Sequence, residues 1–171
     1  LPAAERYNLA PRLDRWVVAR LFEFIEGLLA KGIACPTFNV NLSGLSVGDN
    51  ATTHFIAEQL RRRSVPPTAI CFEITETAAI AQLSQAREFI AQLKQLGCRF
   101  ALDDFGSGIS SFGQLKNLDI DYVKIDGMFV RDIARDPVDL VMVTAINDMA
   151  HALGIETVAE FIEDEEVLAL V

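Results

Sequence analysis

Histidine and cysteine are scarce in this chain, two and three among 171 residues, and their scarcity removes whole classes of chemistry. Cys35, Cys71 and Cys98 are odd in number, lie far apart and sit beside apolar runs, so neither a disulfide framework nor a thiolate zinc site is expected. They read as small buried hydrophobes. His54 and His151 fall within helical patterns without a local partner, as surface or packing residues do. Positive charge is also short, 15 Lys and Arg against 24 Asp and Glu for a net charge of -9. That balance excludes general binding to DNA, whose phosphates it repels, and means that an anionic substrate needs help from a cation. No apolar run reaches the roughly 18 residues of a membrane span. The first residues carry no secretory pattern, so a cytoplasmic setting is expected. The run Arg61-Arg62-Arg63 reads as a solvated helix end beside the C-terminal dipole.

What is present suits one domain with a sizeable core: 51% of residues are hydrophobic and 23% charged. Leu13, Trp16, Val17, Leu21, Phe24 and Leu28 recur at helical spacing before Gly32. Residues 35–43 then alternate as a strand, and Phe55, Ile56 and Leu60 mark the next helix. Strand 70–76, helix 84–96, strand 99–104, a short helix and strand 122–126 follow. Asp136 and Pro137 open a helix whose face is read as Val138, Val141, Met142, Ala145, Ile146, Met149 and Leu153. A last strand ends at Glu160. The joints repeat: a helix, a glycine (Gly32, Gly97 or Gly154), then a strand. Five strands alternating with helices predict parallel pairing, as an open α/β sheet or a (β/α) barrel.

Polar residues fall where strands should be apolar. Asp103 and Asp104 end an apolar run and precede Phe105-Gly106-Ser107-Gly108. Neighbours on a strand point to opposite faces, so the pair is expected at a strand mouth, where both carboxylates can reach a divalent cation. Glu73 and Lys124 each insert a charge into an otherwise apolar strand, which demands a partner, hydrogen bonds or a metal. Asn41, Glu73, Asp103, Asp104, Lys124 and Glu160 lie at or near the ends of five strands, and a parallel barrel converges such ends on one face. Carboxylates with an amide oxygen match the preference of magnesium or manganese, and a lysine among them can orient water or neutralise a phosphate. Residue by residue, blander readings stand beside this one: Asn41, Asp104 and Glu160 as turn formers, Glu73 with Lys124 as one buried ion pair, Glu76 as a solvated strand exit and Asp126 as a turn brace. Gly106-Ser107-Gly108 is a weak candidate for a phosphate nest.

These residues resemble the EAL domain family, the cyclic-di-GMP phosphodiesterases of bacterial signalling. Asn39-Val40-Asn41-Leu42-Ser43 is similar to the family's VNLS strand, Phe72-Glu73-Ile74-Thr75-Glu76 to its EITE segment and Asp103-Asp104-Phe105-Gly106 to its DDFG motif. Lys124-Ile125-Asp126 resembles the KID strand, and Ala159-Glu160 with Glu163 resembles AEGVE. The resemblance implies a TIM-like (β/α) barrel with a two-metal site for Mg2+ or Mn2+. Asn41, Glu73 and Asp103 would ligate one ion, and Asp103 would bridge to a second held with Asp104 and Glu160. It further implies that Lys124 positions water, that Glu160 contributes general-base character and that Glu76 braces the loop after Asp104. That loop, residues 105–111, would couple the site to a homodimer contact.

The sequence departs from the family pattern in three respects. Residues 159–163 read AEFIE. Ser107 and Ile109 stand where Thr and Tyr are common. The namesake Glu-Ala-Leu strand is expected before Leu1 and a glutamine-glycine strand after Val171. Residues 1–171 are therefore expected to be an EAL-type domain truncated at both ends, of a barrel of about 250 residues, with impaired activity on its own and with sensory or GGDEF domains upstream in the parent. The alternative reading is a receptor that binds cyclic-di-GMP without cleaving it. A Schiff-base lyase using Lys124 is a third, disfavoured because the surrounding acids hold that lysine charged.

Overall fold

The computed structural model describes residues 4, 6–107 and 112–171, the side chain of 112 excepted. Helix α1 (Ala10–Ala30) leads into β1 (Phe38–Asn41), the turn α2 (Gly44–Val47) and α3 (Asn50–Arg62). β2 (Ile70–Thr75) is followed by α4 (Glu76–Ala81) and α5 (Leu83–Lys94), and β3 (Arg99–Phe105) by the turn α6 (Phe112–Leu115). β4 (Tyr122–Ile125), the turn α7 (Gly127–Val130), α8 (Pro137–Ala152), β5 (Glu156–Ala159) and the turn α9 (Glu165–Leu168) complete the order. The five strands form one sheet in the order β1-β2-β3-β4-β5, each neighbouring pair parallel. Strand neighbours are thus sequence neighbours, as in a sector of a (β/α) barrel.

Local chemistry explains where the helices begin. Asp49, Thr75, Asp126 and Asp136 each accept a hydrogen bond from a backbone N–H of the helix they precede. Each satisfies one of the donors a first turn leaves free. Pro137 occupies the start of α8, where its missing N–H costs nothing.

One face of the sheet is the core. Val40, Phe72, Ile74, Phe100, Leu102 and Val123 are buried there. The Phe100 ring lies 5.6 Å from Phe72 and 5.9 Å from Phe89 of α5, each contact contributing about 1 kcal/mol beyond area burial. The other face is polar: Glu73, Arg99, Tyr122 and Lys124 line a concavity of about 250 Å³ with Cys71 and Ala101.

Two helix faces differ from the sequence reading. In α1 the buried residues are Val18, Phe22 and Ile25 with Ala10 and Asp14, while Trp16 and Phe24 are exposed. In α8 they are Val143, Ile146 and Ala150, while Val138 and Val141 are exposed. Both helices are apolar around much of their circumference, so periodicity alone leaves the facing side undetermined. Asp14 tolerates burial because its carboxylate accepts hydrogen bonds from the backbone N–H of Ser43 and the hydroxyl of Ser46.

Candidate metal centre at the C-terminal rim of the sheet

Glu73 belongs to β2, Asp103 and Asp104 to β3 and Lys124 to β4, while Glu160 is the first residue beyond β5. Lys124 ties four of these five residues together. Its Nζ lies 3.0 Å from Glu73 Oε2, 2.9 Å from Asp103 Oδ1 and 2.8 Å from Glu160 Oε1. The lysine side chain is 12% exposed and Glu73 4%, so these contacts form under little solvent screening. Although burial opposes its charge, hydrogen bonds that it donates to Glu160, Asp103 and Glu73 raise the Lys124 pKa well above the usual lysine value. The ammonium is therefore fully charged at neutral pH.

Asp104 reaches the cluster through an irregularity in β3. The β3–β4 register runs Leu102 with Val123 and then Phe105 with Ile125, so two residues, Asp103 and Asp104, oppose the single Lys124. This is a β-bulge, which re-aims side chains at a strand end. Asp104 takes a left-handed backbone, φ 54°, a conformation that Asp adopts more readily than most residues. The extra residue has two consequences. It returns Phe105 to the buried face, and it lets carboxylate oxygens of Asp103, Asp104 and Glu160 lie within 4.8 Å of one another. Strict alternation would have sent the two aspartates to opposite faces.

Asp104 also carries the electrostatic signature of the crowding. Its pKa is raised by partial burial and by repulsion from Asp103, Asp126 and Glu160, against a smaller lowering by Lys124. Four carboxylates (Glu73, Asp103, Asp104, Glu160) face one ammonium, leaving three negative charges unbalanced at the rim. A group of hard oxygen donors with surplus negative charge fits a divalent cation of the magnesium or manganese type.

The remaining sequence candidates sort by position. Asn41 is exposed at the end of β1, in register beside Glu73. Glu76 is buried, and its Oε2 accepts a hydrogen bond of 3.0 Å from Gly106 N, while its Oε1 has no hydrogen-bond partner among the described residues. Gly106 needs to be glycine twice over: its φ is 98°, and a methyl there would come 2.9 Å from Phe129 Cε2. Asp126 caps α7 and adds negative potential at Asp104. Glu163 is exposed beyond β5 and takes no part in the ion pairs around Lys124. Residues 108–111 lie outside the described set, and with them most of the expected dimer-coupling loop and the last glycine of the possible nest.

His54 and His151 are exposed, and Cys71 and Cys98 are buried while Cys35 is half-buried. The roles of two residues were not read from the sequence. Asp14 holds the loop after β1, and an acid one turn before Val18 on an apolar helix was the available signal. Phe161, directly after Glu160, has no periodic signature. A larger concavity of about 460 Å³ lies at the opposite end of the strands. There Lys94 already pairs with Asp119 and Asp121, so the rim is the stronger candidate.

A parallel α/β sheet whose strands follow one another in sequence order is TIM-barrel-like, and its C-terminal strand ends, which gather acids and one lysine, are the candidate site. The EAL domain profile matches residues 1–171, and the chain belongs to the EAL domain family. It is 42% identical over 168 residues to the cyclic di-GMP phosphodiesterase PdeB of Shewanella oneidensis, covering 98% of this chain and 20% of that protein. Among solved structures, the PaMucR phosphodiesterase in complex with c-di-GMP superposes with a TM-score of 0.90 at 30% identity, over 99% of this chain and 68% of that one. The manganese and cyclic di-GMP complex of Klebsiella pneumoniae BlrP1 gives 0.82 at 27% identity, over 94% of this chain and 40% of that one. The chain thus spans about a fifth of the length of this curated relative. No helix among the described residues is long and apolar enough to cross a membrane.

Proposed function

We propose that this chain is the site-bearing part of a metal-dependent cyclic-di-GMP phosphodiesterase, acting in the cytoplasm and hydrolysing one phosphodiester of the ring to give the linear dinucleotide. The observation that carries the reading is the bulge-assembled cluster of Asp103, Asp104 and Glu160, of which Asp103 and Glu160 also pair with Lys124. The likeness to PdeB and to the c-di-GMP complex of PaMucR supplies the substrate. In this reading residues 1–171 belong to an EAL-type domain that works as a homodimer under the control of sensory or GGDEF domains of the same protein.

Asn41, Glu73 and Asp103 would hold one Mg2+ or Mn2+, and Asp103, Asp104 and Glu160 a second. When bound, such a pair supplies a water nucleophile at neutral pH and offsets charge on the attacking and leaving oxygens. The protein's own part follows from the electrostatics. Lys124 stays protonated, so it does not act as a base, and an N–H released when a cation draws one of its carboxylates away would donate to water or to a phosphate oxygen. The proton lost by the attacking water would go to a rim carboxylate, Asp104 or Glu160, while the phosphorus–oxygen bond to the ribose oxygen breaks and the departing alkoxide takes up a proton from solvent water. Glu76 steadies Asp104 from behind through Gly106 N.

The test is hydrolysis of cyclic-di-GMP by the full-length protein with Mg2+ or Mn2+ and with chelator. Metal-dependent appearance of the linear dinucleotide is expected. Tight nucleotide binding without turnover would replace this reading with that of a receptor.

A further inference from the structure

We propose that Phe161 is a positioning residue that aims the Glu160 carboxylate, through a clamp formed with Gly127 and Arg131. The proposal rests on the reading of the rim as a divalent-cation site. Glu160 lies just outside the sheet: Ala159, the last residue of β5, pairs with Ile125, and no ladder partner fixes the residue after it. Something else must hold Glu160 Oε1 at 2.8 Å from Lys124.

The next residue provides it. Phe161 has φ 56°, a left-handed conformation rare for a bulky side chain. Such strain persists only where the surroundings over-determine it, and it gathers at functional sites. Among the described residues the other non-glycine positions with positive φ are Asn8 and Asp104, so two of the three lie at or beside a rim carboxylate.

The surroundings of Phe161 are specific. Its ring packs on Gly127 so closely that a methyl at Gly127 would lie 2.0 Å from Cδ2 and 2.7 Å from Cγ. No other residue type at 127 leaves the ring in place. The Arg131 guanidinium sits 4.2 Å from the ring centroid, a cation–π contact. Gly127 and Arg131 are one turn apart, with Arg131 N donating to Gly127 O at 3.1 Å, so both face the ring together. The turn they occupy follows directly from β4, the strand that carries Lys124. The clamp therefore ties the backbone of Glu160 to the element bearing its ion-pair partner. Phe161 as a whole remains 51% exposed, so its own burial is a weak reason for accepting a left-handed backbone, and control of Glu160 is a stronger one.

Calorimetric titration of the chelator-treated protein with Mn2+, beside far-UV circular dichroism, decides the matter. Phe161→Gly accepts the same backbone and removes the ring. It should keep the native spectrum and bind Mn2+ about 10–100-fold more weakly, the usual loss when a ligand's supporting partner is removed. Phe161→Tyr keeps the ring and should bind as the wild type does. Gly127→Ala should weaken binding as Phe161→Gly does, and should add nothing in the Phe161→Gly background. Wild-type affinity in Phe161→Gly, or loss of its folded spectrum, overturns the positioning role. A wild type that binds no Mn2+ instead overturns the cation-site reading itself, and this role with it.

Discussion

Lys124 Nζ stands 3.0 Å from Glu73 Oε2 across 51 residues of sequence, although their strands are not neighbours in the sheet. β3 lies between them, and the β3 residue in register with Glu73 is Ala101. Its single methyl on the polar face leaves the lysine a path over the strand. The ion pair thus depends on a small residue in the middle strand as much as on its own two charges.

Removing the lysine charge should expose what it neutralises. Lys124→Met leaves Glu73, Asp103 and Glu160 facing one another with little solvent, and breaking a buried pair in this way costs about 3 kcal/mol, the low end of the usual range because Glu160 keeps partial exposure. Thermal unfolding with chelator should show the loss at neutral pH. Saturating Mn2+ should stabilise the variant more than the wild type, since the ion restores the missing positive charge. Equal melting temperatures with chelator would contradict the role given to Lys124.

Asp104→Asn should act in the opposite direction. Burial, then Asp103, Asp126 and Glu160, hold the native carboxyl above its ordinary 3.8. An acid with a raised native pKa resists ionisation in the folded state, so its ionisation opposes folding. The penalty is absent below about 3.8 and is complete once the pH has passed the raised native value. The variant should therefore melt higher than the wild type at pH 7 without metal, and the gap should close as the pH approaches 4. Asn accepts the left-handed backbone as well as Asp does, so the change isolates the charge. The same variant should lose metal affinity, and a melting temperature below the wild type's at pH 7 would contradict the crowding.

Thiol labelling reads the polar face independently. Burial, with the fields of Glu73 and Asp121, pushes the Cys71 thiol up to about 12, and burial does the same to Cys98. A disulfide reagent at pH 8 should modify one thiol rapidly, the half-buried Cys35, and all three after denaturation. Rapid labelling of Cys71 beside Cys35 in the native protein would show that the polar face is open to reagents.

The family motifs made much of the site legible: Glu73, Asp103, Asp104, Lys124 and Glu160 were singled out from charges placed in apolar strands, and three of the acids, Glu73, Asp103 and Glu160, meet at the lysine. The bulge that turns Asp104 toward its neighbours was not legible. It is a property of β3–β4 register, set by which residues of two separate segments pair, and the local sequence reads as plain alternation. The helix faces failed for a related reason. Ile146 was read correctly, but Val138 and Val141 share the apolar character of Val143 and Ala150, and only the position of the sheet decides which pair is covered. Phe161 was read only as a departure from the family motif, because its meaning lies in Gly127 and Arg131, which belong to a different turn.

The central claim is that the strand-end acids share a divalent cation, and anomalous diffraction from crystals grown with Mn2+ tests it most directly. The account predicts a manganese peak bounded by the carboxylates of Asp103, Asp104 and Glu160, about 2.0–2.3 Å from its oxygen ligands. An empty rim under saturating Mn2+, or a peak only at Asp119 and Asp121 on the opposite end of the sheet, would contradict it.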